Sequence, residues 1–408
     1  MYKLANIYRR ISNKIRKKLP YHAKPKYYQF FNINQVKKEI LQKNEIIVYF
    51  FGGMGQTYQI KQWIDTFKEL NKKYSITILV RNFSVYRFWQ KELPFNLMYM
   101  HTIDNLLYFY EKYDPKVIIY INNGFKNFQS LIYENGLHIH INHGESDKSS
   151  DHSNQVKAYD YIFVHGPNGY NNYMKYLINI DSDQLIQTGR PQLDFIDPIK
   201  LDTKGKQVIM YAPTWEATHQ SMRYTSVDIY GEKIVDIVLG DEKYFFIYKP
   251  HPNLGAHDEK VRDSHNKILS KIKKSDKAII ITDRDVNDIY PIVDLAIFDM
   301  SSIMTDYLNV NKPFLLADVF DRKVHKVDDY NVLKACNTLT FKNIDDLQSI
   351  LVHEIENDPM KVKRKEIKKL YLGDYKRGES IKKFIASISK IITHRDSEIE
   401  KREKEISK

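Results

Sequence analysis

Five short polar segments of this 408-residue chain contain residue types that can bind phosphate or move a proton. Each segment alone is weak evidence, because such residues are also common in turns. They share one property, since each directly follows a run that is typical of a β-strand, which is apolar for four segments and alternates apolar and polar residues before NHGESDK. The segments are GGMG at 52–55, NHGESDK at 142–148, APTWE at 212–216, KPHP at 249–252 and DMSS at 299–302.

His143 is the candidate general base. An imidazole titrates near neutral pH and can accept a proton from an attacking hydroxyl, and the adjacent Gly144 permits close approach of a substrate. A metal site that also uses His138 and His140 is the alternative, but these histidines do not follow a known ligand spacing. The polar residues that follow are candidate substrate contacts, namely Glu145, Ser146, Asp147 and Lys148.

The segment KPHP predicts a rigid phosphate contact. Prolines on both sides of His251 restrict the backbone, so the imidazole is held in one position. The imidazole can donate a hydrogen bond to a phosphate oxygen while Lys249 supplies a positive charge. A purely structural histidine in a strand-to-helix turn is the alternative.

The segment DMSS predicts an anion site at the start of a helix. Asp299 ends a strand pattern, and Ser301 or Ser302 then begins a helical pattern. Free amide N–H groups, the helix dipole and the serine hydroxyls all favour an anion there. Simple capping of the helix by serine is the alternative, and it is compatible with anion binding. Gly53 and Thr214 follow other strands in the same way and complete the set of candidate substrate contacts.

The elements that position these segments alternate between strand and helix. Seven strand patterns lie between 45 and 188, and a second series begins at 206, with helical patterns between most of them. This alternation predicts an α/β fold of two Rossmann-like domains that face a cleft, which is the GT-B architecture. Because ligands bind at the carboxyl ends of parallel strands, the polar segments should meet in that cleft.

We divide the chain into four parts. Residues 1–38 form a basic N-terminal segment, 39–195 the first Rossmann-like domain and 196–355 the second. Residues 356–408 are predicted to be charged helices that end, from about 394, in a solvated and partly frayed tail.

The net charge of +12 is concentrated at the N-terminus. Residues 1–38 contain 11 Lys and Arg and no acid, whereas the remaining 370 residues carry 52 basic and 51 acidic side chains. Apolar residues recur at helical spacing between Leu4 and Leu19, and Pro20 ends the pattern. We therefore predict a basic amphipathic helix on an anionic membrane surface. Packing of this helix on its own domain is the alternative, and nucleic-acid binding is disfavoured because stacking aromatics and known motifs are missing nearby.

Composition and motifs restrict the class of protein. Cys336 is the single cysteine, which is typical of a reducing compartment. No apolar run reaches the roughly 18 residues of a membrane span, and no secretory signal pattern is seen. The expected location is therefore cytoplasmic, peripheral on the inner face of the cell membrane. No P-loop, dinucleotide fingerprint or nucleophile elbow is found, so we expect no cofactor. We expect no metal either, because zinc-type Cys/His spacing is missing and the D-x-D sequences at 181–183 and 283–285, which could imitate a metal-binding motif, lie in short charged turns and are common by chance.

Taken in order, five segments resemble the CDP-glycerol glycerophosphotransferase family, whose members build teichoic acids and related capsule polymers. They are NHGESDKSS, TGRPQLD, YAPTWE, KPHP and DMSSIMTDYL, and the resemblance covers about residues 45 to 355. It implies a GT-B enzyme that transfers glycerol phosphate from CDP-glycerol to a hydroxyl of a lipid-linked or polymer acceptor and releases CMP. The first domain would then bind the acceptor and the second the nucleotide donor.

The resemblance also implies roles for individual residues. His143 would act as the base on the acceptor hydroxyl, His251 would contact the donor phosphates, and Ser301 and Ser302 would lie at the diphosphate. The chain departs from the family where Glu216 stands in place of a frequent Arg and Met300 in place of a frequent Tyr, and HGESDK differs from the common His-Gly-Thr-Pro. CDP-ribitol as donor, a GT-B glycosyltransferase that uses a nucleotide sugar, and a non-catalytic membrane-associated scaffold are the alternatives.

Overall fold

The structure is a computed structural model that describes residues 45–145, 153–218, 223–319 and 331–407. The described residues form two parallel β-sheets, one of seven strands and one of six. The strands of the first sheet are β1 Ile46–Phe50, β2 Ile76–Val80, β3 Asn96–Tyr99, β4 Val117–Tyr120, β5 Leu137–His140, β6 Tyr161–Val164 and β7 Leu185–Gln187. Those of the second are β8 Gln207–Ala212, β9 Tyr244–Tyr248, β10 Ala278–Ile280, β11 Leu295–Phe298, β12 Phe314–Ala317 and β13 Asn337–Leu339.

Helices connect most of the strands. The α-helices of the described ranges are α1 Tyr58–Lys61, α2 Ile64–Asn71, α3 Phe83–Trp89, α4 Ile103–Tyr113, α5 Pro167–Tyr176, α6 Glu232–Gly240, α7 Glu259–Ile272, α8 Val286–Ile289, α9 Ser302–Tyr307, α10 Leu347–Asn357, α11 Lys361–Leu372 and α12 Glu379–Ile406. We call the seven-stranded sheet with the residues that pack on it the first unit. The six-stranded sheet with its packed residues is the second unit.

Both sheets are covered on both faces, which explains their continuous apolar runs. In β1, Ile46, Val48 and Phe50 face one buried cluster while Ile47 and Tyr49 face the other. The second sheet repeats this arrangement, because alternate residues of β8 also enter two different clusters. Because side chains alternate between the two faces of a strand and both faces are covered, apolar residues are favoured at every position of such a strand.

The strand orders place a switch point in each sheet. The order is β3-β2-β1-β4-β5-β6-β7 in the first and β10-β9-β8-β11-β12-β13 in the second. The direction of winding reverses between β1 and β4 and between β8 and β11, where connections leave toward opposite faces. Ligands of open α/β sheets bind at the carboxyl ends of the strands at such points. The fold therefore positions the residues that follow these strands.

The last helix returns to the first unit. Phe384 and Ile388 of α12 are fully buried in the same cluster as β1 and β2, whereas Ile367 of α11 packs in the second unit. The chain therefore crosses between the units twice, once between β7 and β8 and again between α11 and α12. Asp194, in the first crossing, accepts hydrogen bonds from the N–H groups of Gly378 and Ile381, at 2.7 and 2.8 Å.

The expected α/β class with two parallel sheets is confirmed. Two details differ from the expectation. The helix α12 continues to Ile406, so the prediction of a partly frayed tail from 394 is wrong, and the three-residue strand β13 was not predicted. The predicted membrane helix of residues 1–20 lies outside the described residues, and the domain limits at 38, 195 and 355 stay predictions. Within the described part of the chain, no helix combines the length and the apolar character that a membrane crossing requires.

Candidate active site

The predicted site segments lie at the carboxyl ends of both sheets, and several of them meet between the two units. Gly53 follows β1 and His143 follows β5 in the first unit. Thr214 follows β8, Lys249 follows β9 and Asp299 follows β11 in the second. Ser146, Asp147 and Lys148 are outside the described residues.

His143 is held through its main chain. The preceding Asn142 adopts a left-handed conformation, with φ of 53°, which turns the chain sharply after β5. The side-chain oxygen of Asn142 accepts a hydrogen bond from the His143 N–H at 2.7 Å, and the carbonyl of Asn142 accepts one from the indole of buried Trp63 at 3.0 Å. Asparagine tolerates this conformation better than most residues, so the turn depends on this residue type.

Gly144 brings the loop of the first unit against helix α9 of the second. A Cβ atom at Gly144 would lie 2.8 Å from Oγ and 2.9 Å from Cβ of Ser302, so no larger residue fits without a shift. The hydroxyl of Thr305 donates to the carbonyl of Glu145 at 2.9 Å. The Glu145 carboxylate turns back into the first unit, where it accepts the N–H of His165 at 2.8 Å. The candidate base and the candidate anion-binding serine therefore belong to adjacent segments.

Arg190 was not among the predicted site residues, although it lies in the segment TGRPQLD. Its Nε and one Nη donate to the two carboxylate oxygens of Asp306, each at 3.0 Å. Arg190 and Asp306 are both almost fully buried. Burial raises the pKa of the Asp306 carboxyl, and the Arg190 guanidinium opposes that rise. The pair joins the end of β7 to helix α9 across the two units.

Two buried histidines of the first unit stay neutral. Burial, followed by the charge of Arg190, lowers the pKa of His165 well below its ordinary value, so its approach to Glu145 is not an ion pair. Burial, followed by the proximity of His143, lowers the pKa of His140 to about 3. Neither His140 nor His165 is therefore available as a cation at neutral pH.

His251 is fixed by contacts on several sides. Its Nδ1 accepts a hydrogen bond from the N–H of Asn253 at 3.1 Å, which places the proton of the neutral ring on Nε2. One face stacks on Trp215, with ring centroids 5.9 Å apart and planes 15° apart. The ring of Tyr58 meets His251 edge to face at 6.0 Å and His143 at 6.1 Å. Tyr58 of the first unit therefore stands between the two predicted histidines.

Glu216 supports the loop that carries His251. Its carboxylate accepts the N–H groups of Gly255 at 2.9 Å, His257 at 2.6 Å and Asp258 at 3.2 Å. Charge-assisted bonds of this kind are stronger than those between neutral groups, so they hold the loop from 251 to 258 in one shape. Because Glu216 is buried, it holds the loop from the protein interior. The sequence had shown Glu216 only as a departure from a family pattern.

Lys249 places a partly buried ammonium beside the same loop. Burial lowers the pKa of Lys249. The negative charge of nearby Asp285 raises this pKa, and the positive charge of Lys61 in the first unit lowers it further. The Lys61 ammonium itself donates to the carbonyl of Asp283 across the cleft at 2.9 Å. A desolvated ammonium is strongly stabilised by an incoming anion.

The segment DMSS connects strand β11 to helix α9 without a serine cap. Fully buried Asp299 accepts the N–H of Thr214 at 2.8 Å, which ties the ends of β11 and β8 together at the switch point. The Ser301 hydroxyl donates to the carbonyl of Asp299 at 3.2 Å and makes no capping bond to the helix. The alternative in which serine simply caps α9 is therefore not realised by Ser301.

The glycine turn after β1 faces the His251 loop. Gly53 donates its N–H to the side-chain oxygen of Gln56 at 3.1 Å, and open space surrounds the position of a Cβ atom at Gly53. A Cβ atom at Gly55 would lie 3.2 Å from Oδ1 of Asn253. The two units therefore approach each other closely on both sides of the histidines. Among the described residues, no cluster of three His, Cys, Asp or Glu side chains could hold a metal ion.

Comparison with known proteins places the chain in a family. Residues 115–388, more than half of the chain, match the family model of CDP-glycerol:poly(glycerophosphate) glycerophosphotransferase. The chain therefore belongs to this family.

Two relatives in bacteria have teichoic acid functions. The chain is 26% identical over 194 residues to the teichoic acid poly(ribitol-phosphate) polymerase of Bacillus spizizenii W23. It is 25% identical over 181 residues to the teichoic acid glycerol-phosphate transferase of Staphylococcus aureus NCTC 8325. These matches cover 44% and 39% of this chain but only 29% and 41% of the two relatives.

Solved structures confirm the fold class. The wall teichoic acid polymerase TagF matches with a TM-score of 0.59 at 15% identity, over 97% of this chain and 98% of TagF. The UDP-GlcNAc 2-epimerase of Neisseria meningitidis bound to UDP-GlcNAc matches with a TM-score of 0.54 at 14% identity, over 85% and 100%. At these identities the likeness shows the fold alone, which is the expected GT-B fold.

Proposed function

We propose that this chain transfers glycerol phosphate from CDP-glycerol to a hydroxyl group of a lipid-linked or polymer acceptor, with release of CMP. The observation that carries the proposal is the contact between the His143–Gly144 segment of the first unit and Ser302 of the second. This contact brings a candidate base and a candidate diphosphate contact together at the edges where α/β sheets bind ligands. Membership of the family narrows the chemistry to polyol phosphate transfer.

The donor diphosphate would lie against the second unit. His251 presents its Nε2–H as a hydrogen-bond donor because Nδ1 already accepts from Asn253. Lys249 would supply the positive charge and the hydroxyl of Ser302 a neutral donor, and the Ser301 hydroxyl would add a second donor on rotating away from the Asp299 carbonyl. Donors that are fixed before the reaction stabilise the charge that develops on the leaving phosphate.

The acceptor hydroxyl would approach from the first unit. Its oxygen forms a bond to the phosphorus that bears glycerol, and the bond from that phosphorus to the bridging oxygen of the diphosphate breaks. The bridging oxygen leaves with CMP, while His143 takes the proton of the hydroxyl. Catalysis of such a step depends mainly on positioning and on charge stabilisation.

The remaining predicted contacts support this arrangement to different degrees. Gly144 and Gly53 provide close approach, and Asp299 and Thr214 brace the switch point of the second sheet. The carboxylate of Glu145 is directed into its own unit, so we propose that its main chain rather than its side chain borders the acceptor. Roles for Ser146, Asp147 and Lys148 rest on sequence alone.

CDP-ribitol is the second candidate donor, and one observation favours it. The relative from B. spizizenii is a poly(ribitol-phosphate) polymerase. Ribitol is longer than glycerol but is joined to the same diphosphate, so the proposed phosphate contacts would serve either donor.

We also propose that the chain works at an anionic membrane on its cytoplasmic face, since a lipid-linked acceptor would lie there. Support comes from the basic, amphipathic pattern of residues 1–20. Deletion of residues 1–20 should abolish co-sedimentation with anionic liposomes. Undiminished binding of the truncated chain would contradict this part of the proposal.

A donor panel tests the function directly. The purified chain is incubated with CDP-glycerol, CDP-ribitol or a nucleotide sugar, together with an acceptor primed with glycerol phosphate. We expect CMP release and an acceptor that gains one or more polyol phosphate units by mass spectrometry. Transfer of a sugar without phosphate, or no nucleotide binding in a CMP titration, would overturn the proposal.

A further inference from the structure

The guanidinium of Arg190 contacts both halves of the candidate site. Its Nε and Nη2 bind the two carboxylate oxygens of Asp306, in the helix that begins at Ser302. The same Nη2 donates to the carbonyl oxygen of His143 at 3.3 Å. One side chain therefore touches both the residue that carries the candidate base and the helix that carries the candidate diphosphate contact.

We propose that Arg190 is a positioning residue, which holds the main chain of His143 in register with helix α9. The inference rests on the proposed function and concerns the same site. Arg190 is only 2% exposed, so it acts through His143 and does not touch the substrate.

The orientation of the guanidinium is fully determined by its neighbours. The bidentate bond to Asp306 fixes its plane, because both bonds must lie in the plane of the carboxylate. The Oε1 atom of Gln62 accepts from Nη2 at 3.0 Å, and Nε2 of neutral His165 accepts from Nη1 at 3.4 Å. A lysine offers a single point charge and cannot satisfy this planar set of acceptors.

Two further contacts show that the loop and the helix fit together closely. Thr305 donates to the carbonyl of Glu145, and Gly144 lies against Ser302 with no room for a Cβ atom. Three successive residues of the loop therefore contact α9 directly or through Arg190. Loss of the Arg190 contact would leave the His143 carbonyl without this donor and release one end of the loop.

The test compares Arg190→Met, Arg190→Lys and the double variant Arg190→Met/Asp306→Leu in the full chain. CMP release reports turnover, and a CMP titration reports the donor side. We expect Arg190→Met to lower kcat by about 10- to 100-fold, because small displacements of a catalytic group are this costly, while the affinity for CMP changes little. The kcat of Arg190→Lys should lie between those of Arg190→Met and the wild-type chain.

The double variant separates positioning from folding. Replacement of a buried ion pair by apolar residues of similar size often leaves stability unchanged, so this variant should fold. It also lacks the Arg190 donor to the His143 carbonyl and should be as slow as Arg190→Met. The matched control is Arg395→Met, which removes another buried arginine that pairs with Asp114 at 2.6 Å near the amino ends of β4 and β5. This control should lower thermal stability without changing kcat.

Amide hydrogen exchange tests the role of Arg190 without any substrate. Hydrogen exchange at the amides of residues 138–145 should accelerate in the double variant and remain unchanged in Arg395→Met. Wild-type kcat together with wild-type exchange in the folded double variant would overturn the inference. If the wild-type chain releases no CMP from any donor, the proposed function fails, and the exchange measurement alone decides the role of Arg190.

Discussion

His143 and His251 lie on either side of Tyr58, but the structure holds them in different ways. His251 is fixed mainly within its own unit, by the N–H of Asn253, the ring of Trp215 and the loop that Glu216 braces. The segment of His143 depends on the other unit, because its next residues contact Ser302 and Thr305. The proposed donor side is therefore built within one unit, whereas the position of the candidate base depends on how the two units meet.

This difference has a consequence for the order of events. A site that binds the donor within one unit can bind nucleotide before the acceptor side is complete. The candidate base, in contrast, belongs to a loop that is seated on helix α9 of the other unit. Variants should accordingly separate nucleotide binding from turnover.

Replacement of either histidine by alanine should reduce turnover more than any other change. His143→Ala should lower kcat by about 10²- to 10⁴-fold, the usual contribution of a general base, and leave the affinity for CMP unchanged. His251→Ala should lower turnover and also weaken CMP binding. CMP titration and CMP release measure both effects, and His394→Ala, which changes an exposed histidine of α12, is the control. Weakened CMP binding in His143→Ala alone would reverse the assignment of the two sides.

The second effect concerns the contact between units. Gly144→Ala places a methyl group 2.8 Å from Oγ of Ser302, so the loop or the helix must move. We expect kcat to fall by about 10- to 100-fold through misplacement of His143, with little change in CMP affinity. Gly240→Ala is the matched control, since no atom outside the adjacent residues and the backbone of its own helix lies within 4 Å of the added carbon. Wild-type turnover in Gly144→Ala would show that the contact does not position the base.

A smaller effect is expected from a change at Glu216, whose carboxylate holds the loop that carries His251. Glu216→Gln keeps the shape but removes the negative charge that accepts three backbone N–H groups. We expect a loss of about 1–3 kcal/mol in the free energy of unfolding and a several-fold rise in KM for the donor. Thermal unfolding and donor titration measure these changes, with exposed Glu400→Gln as control. An unchanged KM with lower stability would limit Glu216 to a role in folding.

The smallest effect is a pH dependence of donor binding. Burial lowers the pKa of Lys249, so its ammonium loses its proton at a lower pH than an ordinary lysine does. In the proposed site the protonated form attracts the phosphate of CMP, and CMP affinity should therefore fall as the pH rises toward the usual lysine value of about 10.4. Lys249→Met should bind CMP more weakly and without this alkaline decrease. If CMP affinity fell in the same way at alkaline pH in Lys249→Met, the decrease would come from another titrating group.

Much of the fold was predictable because most buried strands are largely apolar runs that end in polar or glycine residues. Strands such as KVIIYI and LAIF, with both faces covered, leave little ambiguity. The strand β13 was missed because three residues, Asn337–Leu339, carry too little periodicity. The apolar stripe of α12 was visible in the sequence, but its packing on the first sheet depends on residues far away in the chain.

The site was predictable only at the level of strand ends. That rule located His143, Thr214, Asp299 and their neighbours at the edges of the sheets, and the structure brings Gly144 to Ser302. The rule applied equally to Arg190 after β7, but its partner Asp306 lies 116 residues further along the chain, and sequence spacing contains no sign of that pair. Tyr58 was missed because an aromatic residue in a helix is usually part of a core.

The fate of the two phosphorus atoms of the donor shows which of them the acceptor hydroxyl attacks. CDP-glycerol is labelled separately at the phosphorus that bears glycerol and at the phosphorus that bears cytidine, and products are separated after turnover. Attack on the phosphorus that bears glycerol predicts that the first label passes entirely to the acceptor and the second appears entirely in CMP. Recovery of both labels in CDP, with glycerol transferred alone, would show that the chain does not transfer glycerol phosphate.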